Sequence, residues 1–231
     1  MKLKNISRIG VAFTASIMIS GCMPEMDLSN PKQLLDETYY TTEEHLEAAV
    51  IPAYQALIGP NQGGYARAMY YSLLAPGDDY DKTFKWADLY QDTYTTRAND
   101  GFVKSGWMDF YNGVFASNLA IQKINAFQGT IDSAKKDRLL GEAHFLRAYY
   151  VHLLWKFWVN IPYFEEPLTT SPYMTRQYTA DEIYNEIMED LVVACEEGAM
   201  PMKATGADLG RASRAAALML KARVVLYQKD Q

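Results

Sequence analysis

The stretch Gly141 to Phe164, GEAHFLRAYYVHLLWKFWVNIPYF, constrains the fold of this chain more than any other. Leu139, Ala143, Leu146, Tyr150, Leu153 and Phe157 recur at three- and four-residue steps, which is one face of an α-helix starting near Ser133. Tyr149, Leu154, Trp155 and Trp158 make its second half apolar all round, so neighbours must cover it on more than one side. Asn160 tolerates the left-handed conformation that ends a helix, and Pro162 blocks its resumption. With a mean hydropathy of only −0.22, a helix this apolar must be the centre of a helical array.

The N-terminus carries an export signal. Lys2, Lys4 and Arg8 are followed by Ile9 to Ile19, an uncharged apolar run too short to span a bilayer as a helix. It ends in Ile19-Ser20-Gly21-Cys22, the pattern of a lipobox: an aliphatic residue, two small ones, and the cysteine that is acylated. A chance cysteine after an ordinary secretory signal is the alternative, but the polar segment MPEMDLSNPKQ has the character of a lipoprotein tether. Residues 1–21 are thus expected to be a signal peptide, and 22–40 a lipidated tether and N-terminal segment. Several acyl chains on Cys22 would give stable attachment to outer-membrane lipid. Met23 stands where an aspartate would signal inner-membrane retention.

The net charge of −6 and pI near 5.1 argue against nucleic acid, which calls for a basic stripe. With Cys22 committed to lipid, Cys195 is left alone on an apolar helix face and reads as a core thiol, so packing must hold the domain. About 210 residues remain after signal removal, enough for one domain with a real core.

Thr41-Thr42-Glu43-Glu44 reads as a capping box with Thr41 as N-cap, opening a helix that Pro52 should kink or divide. From Tyr65 to Ser105 no period holds, yet aromatic residues are dense, which marks a long functional loop. A helix from near Ser105 carries Trp107, Tyr111, Val114, Asn118 and Ile121 on one stripe. Val159 to Tyr178, with three prolines, reads as an extended crossing. Thr179-Ala180-Asp181-Glu182 is a second capping box; the stripe behind it holds Ile183, Tyr184, Ile187, Met188, Leu191, Val192 and Cys195. A last helix from about Arg211 should turn Ala215, Ala216, Met219, Ala222, Val225 and Leu226 inward. The sum is an all-α array of stacked helical hairpins of a degenerate tetratricopeptide-like kind, with a long aromatic-rich loop inserted.

Three segments resemble the SusD/RagB family of nutrient-binding outer-membrane lipoproteins. One is the lipobox with its acidic tether. Another runs from Trp107-Met108-Asp109-Phe110-Tyr111 through Asn118 into GEAHFLRAYY and the Ile161-Pro162 step. The third joins Tyr178–Leu191 to Gly210-Arg211-Ala212-Ser213 and the Ala222-Arg223…Leu226-Tyr227 finish. The resemblance implies that 41–231 is a SusD-like N-terminal α-helical domain, truncated at its C-terminus because members are longer. It implies an oligosaccharide ligand, a TonB-dependent (SusC-like) outer-membrane transporter as partner, a surface-exposed lipid anchor, and no cofactor. The alternative is a lipid-anchored tetratricopeptide-type adaptor for a peptide or protein.

Sugar sites combine flat aromatic faces with a few placed polar groups. Trp86, flanked by Tyr80, Phe84 and Tyr90 in a polar loop, fits that pattern; Tyr94, Arg97 and Asn99 follow. Trp86 fits equally the role of a loop anchor packed on the helices. Trp107, Trp155 and Trp158 lie on helix stripes and read as core, Asn118 as a partner for buried backbone, and Glu142 and Arg147 as bonds within the stack. Clustered acids at Asp78, Asp79, Asp81, Glu165 and Glu166 read as solvated turns rather than a glycosidase pair, and His45, His144 and His152 lack metal-ligand spacing. The expectation is a binding protein, not an enzyme.

Overall fold

A computed structural model describes residues 39–58, 101–167 and 174–229, apart from the side chain of Phe102. Within them the chain is all-α: α1 (Glu43–Gln55), α2 (Gly101–Ala126), α3 (Ser133–Trp158), α4 (Ala180–Cys195) and α5 (Arg214–Lys229). The two-residue strands β1 (Ile161–Pro162) and β2 (Gln177–Tyr178) pair antiparallel after α3, with Ile161 opposite Tyr178. The expected extended crossing therefore doubles back as a short ribbon. Stacked helical hairpins are the architecture, as anticipated; the aromatic-rich loop lies outside the described residues.

Helix α3 is the centre, with α2 and α4 on its two sides and α1 and α5 beyond. Its Leu139, Ala143, Ala148, Tyr150, Leu154 and Trp155 are wholly buried. Asp132 caps its start, accepting from the Lys135 amide at 3.0 Å. Where α2 crosses α3, Gly113 leaves room for the Tyr150 ring, and the Tyr150 hydroxyl donates to the Ala53 carbonyl of α1 at 2.6 Å. A glycine and a tyrosine thus lock three helices together.

Local signals held in kind and slipped in register. The first cap is Thr42, not Thr41: its hydroxyl accepts from the His45 amide, which places Glu43 and Glu44 in the first turn, where their charge complements the helix dipole. Pro52 neither divides α1 nor ends it outright: it forgoes only its own bond to the Ala48 carbonyl, the helix runs on to Gln55, and the chain then tightens into turns at Leu57 and Ile58. At the end of α3 the left-handed residue is Val159 (φ 62°), not Asn160. Asn160 continues toward β1 with its carbonyl taken by the Gln177 amide at 2.7 Å. The second capping box is formed as expected, Thr179 and Glu182 bonding reciprocally.

The largest departure is the phase of α5. It buries Ala217, Leu220 and Val224, while Met219 and Leu226 are 70% and 64% exposed and Ala222 also faces out. Arg211 and Ala212, just before the helix, are tied to Glu142 and to the Tyr54 hydroxyl. Those ties set the rotation of α5, and its sequence is apolar enough on either face to permit it. On α4, Val192 is likewise exposed and Cys195 only half-buried, so the inward stripe is narrower than expected. A smaller apolar cluster of Ala194, Met200, Ala212 and Ala217 joins the ends of α4 and α5.

Candidate functional site

Two buried charge networks fix the helices. Glu142, fully buried on α3, accepts from Tyr54 Oη of α1 (2.9 Å), Arg138 Nε (3.1 Å) and Arg211 Nε (3.0 Å). Arg211 Nη2 lies 2.9 Å from Glu142 Oε2 as an ion pair rather than an aligned hydrogen bond. The second network centres on Arg147, 5% exposed. Its Nε and Nη2 donate to Asp190 of α4 at 2.9 and 2.7 Å, and its Nη1 to Asn118 Oδ1 of α2 at 2.9 Å. Burial pulls its guanidinium pKa down, but the adjacent Asp190 carboxylate outweighs that and leaves it raised. His144 Nδ1 meets Asp190 Oδ1 at 2.7 Å. Both networks bear out the reading of Glu142 and Arg147 as bonds within the stack.

The second network reaches the surface. Asn118 Nδ2 donates to the Phe164 carbonyl at 2.7 Å, holding the chain after β1 against α2, as its reading as a partner for buried backbone requires. Tyr111 Oη donates to the Pro162 carbonyl at 2.7 Å, and burial raises the pKa of that phenol. Between α2 and this segment opens a cleft of about 460 Å³, walled by Trp107, Tyr111, Phe115, Pro162 and Phe164, with Asn112, Met174 and Thr175 also lining it. Tyr111 stacks on Phe164 with centroids 6.0 Å apart and planes at 12°. Trp107 leans on Tyr111 at 4.7 Å and meets the edge of Trp158 at 5.0 Å. Thr175 Oγ1 donates to the Tyr163 carbonyl at 3.2 Å.

The three helical tryptophans separate. Trp155 is fully buried, as expected. Trp158 is half-buried among Trp107, Phe110 and Phe157. Trp107, read from its stripe as core, is half-buried on the cleft wall, where among the described residues it faces the segment after α3. The W-x3-Y spacing of Trp107 and Tyr111 puts both rings on one side of α2; that a cleft would open there depends on where Pro162 and Phe164 land. Cys22 and the loop candidates Trp86, Tyr80, Phe84, Tyr90, Tyr94, Arg97 and Asn99 lie outside the described residues. Among the described residues no group of three or more His, Cys, Asp or Glu could hold a metal ion, and no helix is long and apolar enough to cross a membrane.

Residues 26–226 match the family model of SusD-like proteins described as starch-binding, associating with the outer membrane. The chain belongs to the SusD-like family. SusD-like protein P38 of Formosa agariphila is 25% identical over 99% of this chain, which spans 44% of that protein. Surface glycan-binding protein A from Bacteroides fluxus is 44% identical and superposes with a TM-score of 0.70, over 82% of this chain and 41% of its own. Surface glycan-binding protein A from Bacteroides thetaiotaomicron, solved in complex with laminarihexaose, is 25% identical with a TM-score of 0.66, over 82% of this chain and 40% of its own. The chain thus spans less than half the length of these SusD-like relatives.

Proposed function

We propose that the chain is the α-helical N-terminal domain of a surface glycan-binding lipoprotein. It is anchored to the outer membrane through acylated Cys22, with 1–21 as signal peptide and 22–40 as tether. It captures oligosaccharide and hands it to a TonB-dependent, SusC-like transporter, which supplies the energy of import, so the domain binds and performs no chemistry. The similarity to surface glycan-binding protein A, at 44% identity over 82% of the chain, carries this reading. The lipobox at Ile19–Cys22 and the aromatic loop around Trp86 are in keeping with it.

Isothermal titration of the purified protein against laminarihexaose, maltohexaose and cellohexaose tests it. Binding of at least one glycan is expected. Trp86→Ala should then weaken that binding several-fold, the stacking of one aromatic ring being worth on the order of 1 kcal/mol, with helical signal and melting temperature nearly unchanged. Capture of peptides with no affinity for any glycan would return the chain to the adaptor class.

A further inference from the structure

We infer that the cleft between α2 and the segment after β1 is a carbohydrate subsite, in which the indole face of Trp107 takes the apolar face of one hexopyranose ring. The inference rests on the glycan-binding reading above and adds to it contact residues other than Trp86 and its neighbours in the sequence.

Size and lining come first. About 460 Å³ lies within the roughly 300–1,000 Å³ of ordinary small-molecule sites, which pair apolar walls with a few polar groups. Here the described walls are mostly planar, the rings of Trp107, Tyr111, Phe115 and Phe164, with Pro162 and Met174 beside them. Planar walls suit the flat C–H face of a pyranose, whereas a groove for an aliphatic anchor would be lined by branched side chains. The lining does not favour an anionic ligand, since no lysine or arginine is among its described residues.

Polar groups stand at the rim where ring hydroxyls would emerge. The exposed Asn112 amide is engaged by no described residue and offers both a donor and an acceptor. Thr175 spends its proton on the Tyr163 carbonyl, which leaves its oxygen free to accept from a sugar hydroxyl.

The cleft is also held open before any ligand arrives. Tyr111 cannot swing in to fill it, because its hydroxyl is bound to the Pro162 carbonyl. Phe164 cannot drift out, because its carbonyl is held by Asn118, which Arg147 orients from the core. Trp107 is braced edge-on by Trp158. Walls fixed in this way lose little conformational freedom on binding, which is what a shallow sugar contact needs in order to contribute affinity.

The test is calorimetry with laminarihexaose, maltohexaose and cellohexaose on the purified protein, its Trp107→Ala, Asn112→Ala and Trp86→Ala variants, and the wild type carrying 5-fluorotryptophan. Trp107→Ala should weaken the glycan that binds by about five- to tenfold, and Asn112→Ala by about two- to threefold. Trp107 also packs on Trp158, so its truncation can disturb folding. The fluorine resonance of Trp107, assigned by its disappearance in Trp107→Phe, keeps the question open to an answer, and it should shift as glycan is added. An unmoved Trp107 resonance at saturating glycan, with Asn112→Ala at wild-type affinity and Trp86→Ala impaired, would overturn the subsite and leave the glycan-binding function standing. A wild type that bound no glycan would instead overturn that function and the subsite with it.

Discussion

Arg147 joins three helices at one buried point, and replacing it should show how much of the fold rests there. Arg147→Met keeps most of the apolar stem and removes the guanidinium. The loss takes away the paired bonds to Asp190 at 2.9 and 2.7 Å and the bond to Asn118 at 2.9 Å. Asp190, only 2% exposed, is then left with a half-buried histidine as its remaining side-chain partner. Breaking a buried pair by removing one member costs about 3–5 kcal/mol, a large share of the roughly 5–15 kcal/mol that holds a domain together. With a urea slope near 2 kcal/mol per M, the unfolding midpoint should fall by roughly 1.5–2.5 M while the slope stays constant. The double variant Arg147→Met/Asp190→Leu removes the stranded carboxylate as well. It should be clearly more stable than Arg147→Met alone, by about 1 kcal/mol or more. A midpoint within about 0.5 M of wild type for Arg147→Met would refute the reasoning, as would strictly additive losses in the double variant.

His152 is 2% exposed with an unpartnered Nδ1; burial, helped by the nearby charges of Lys156 and Arg223, lowers its pKa from 6.5 to about 4. The unfolded chain therefore binds the extra proton between these values, so stability is full above about pH 6.5 and falls as pH drops toward 4, by on the order of 3 kcal/mol at the limit. Urea titrations at pH 7, 5.5 and 4 should show that slope, and His152→Phe should flatten it; an unchanged slope would sink the assignment. A Cβ at position 113 would overlap the Tyr150 ring, which its bond to the Ala53 carbonyl keeps from yielding. Gly113→Ala should thus cost about 2 kcal/mol or more despite alanine's better helix propensity, read as a melting point lower by roughly 4–8 °C; a stabilised variant would show that α2 and α3 can part without cost. Cys22→Ala should release the protein from the membrane fraction of its native host, and retention after a carbonate wash would rule out the lipobox.

What the sequence determined by itself is local. Apolar residues at three- and four-residue steps, caps such as Thr179 with Glu182, and breakers such as Pro162 act over one or two turns, so the helices, their order and the central place of α3 could be read directly. The stripe residues Val114 and Asn118 went where they were expected, and so did Glu142 and Arg147, because a charge on so apolar a helix must find a partner inside the stack. The tertiary structure decided whatever depends on groups far apart in the chain. Nothing near Leu226 signals that it faces outward; that follows from Arg211 and Ala212 being tied to Glu142 and Tyr54, 69 and 158 residues away. The positive φ after α3 falls on Val159 rather than Asn160, two residues before the strand pairing begins at Ile161. Trp107 looked like core because its helical stripe continues into Val114 and Asn118. It became the wall of a cleft because Pro162 and Phe164, some 50 residues on, were drawn to α2 by Tyr111 (51 residues) and Asn118 (46 residues). Periodicity tells which side of a helix is apolar, but only the packed neighbours determine whether that side is covered.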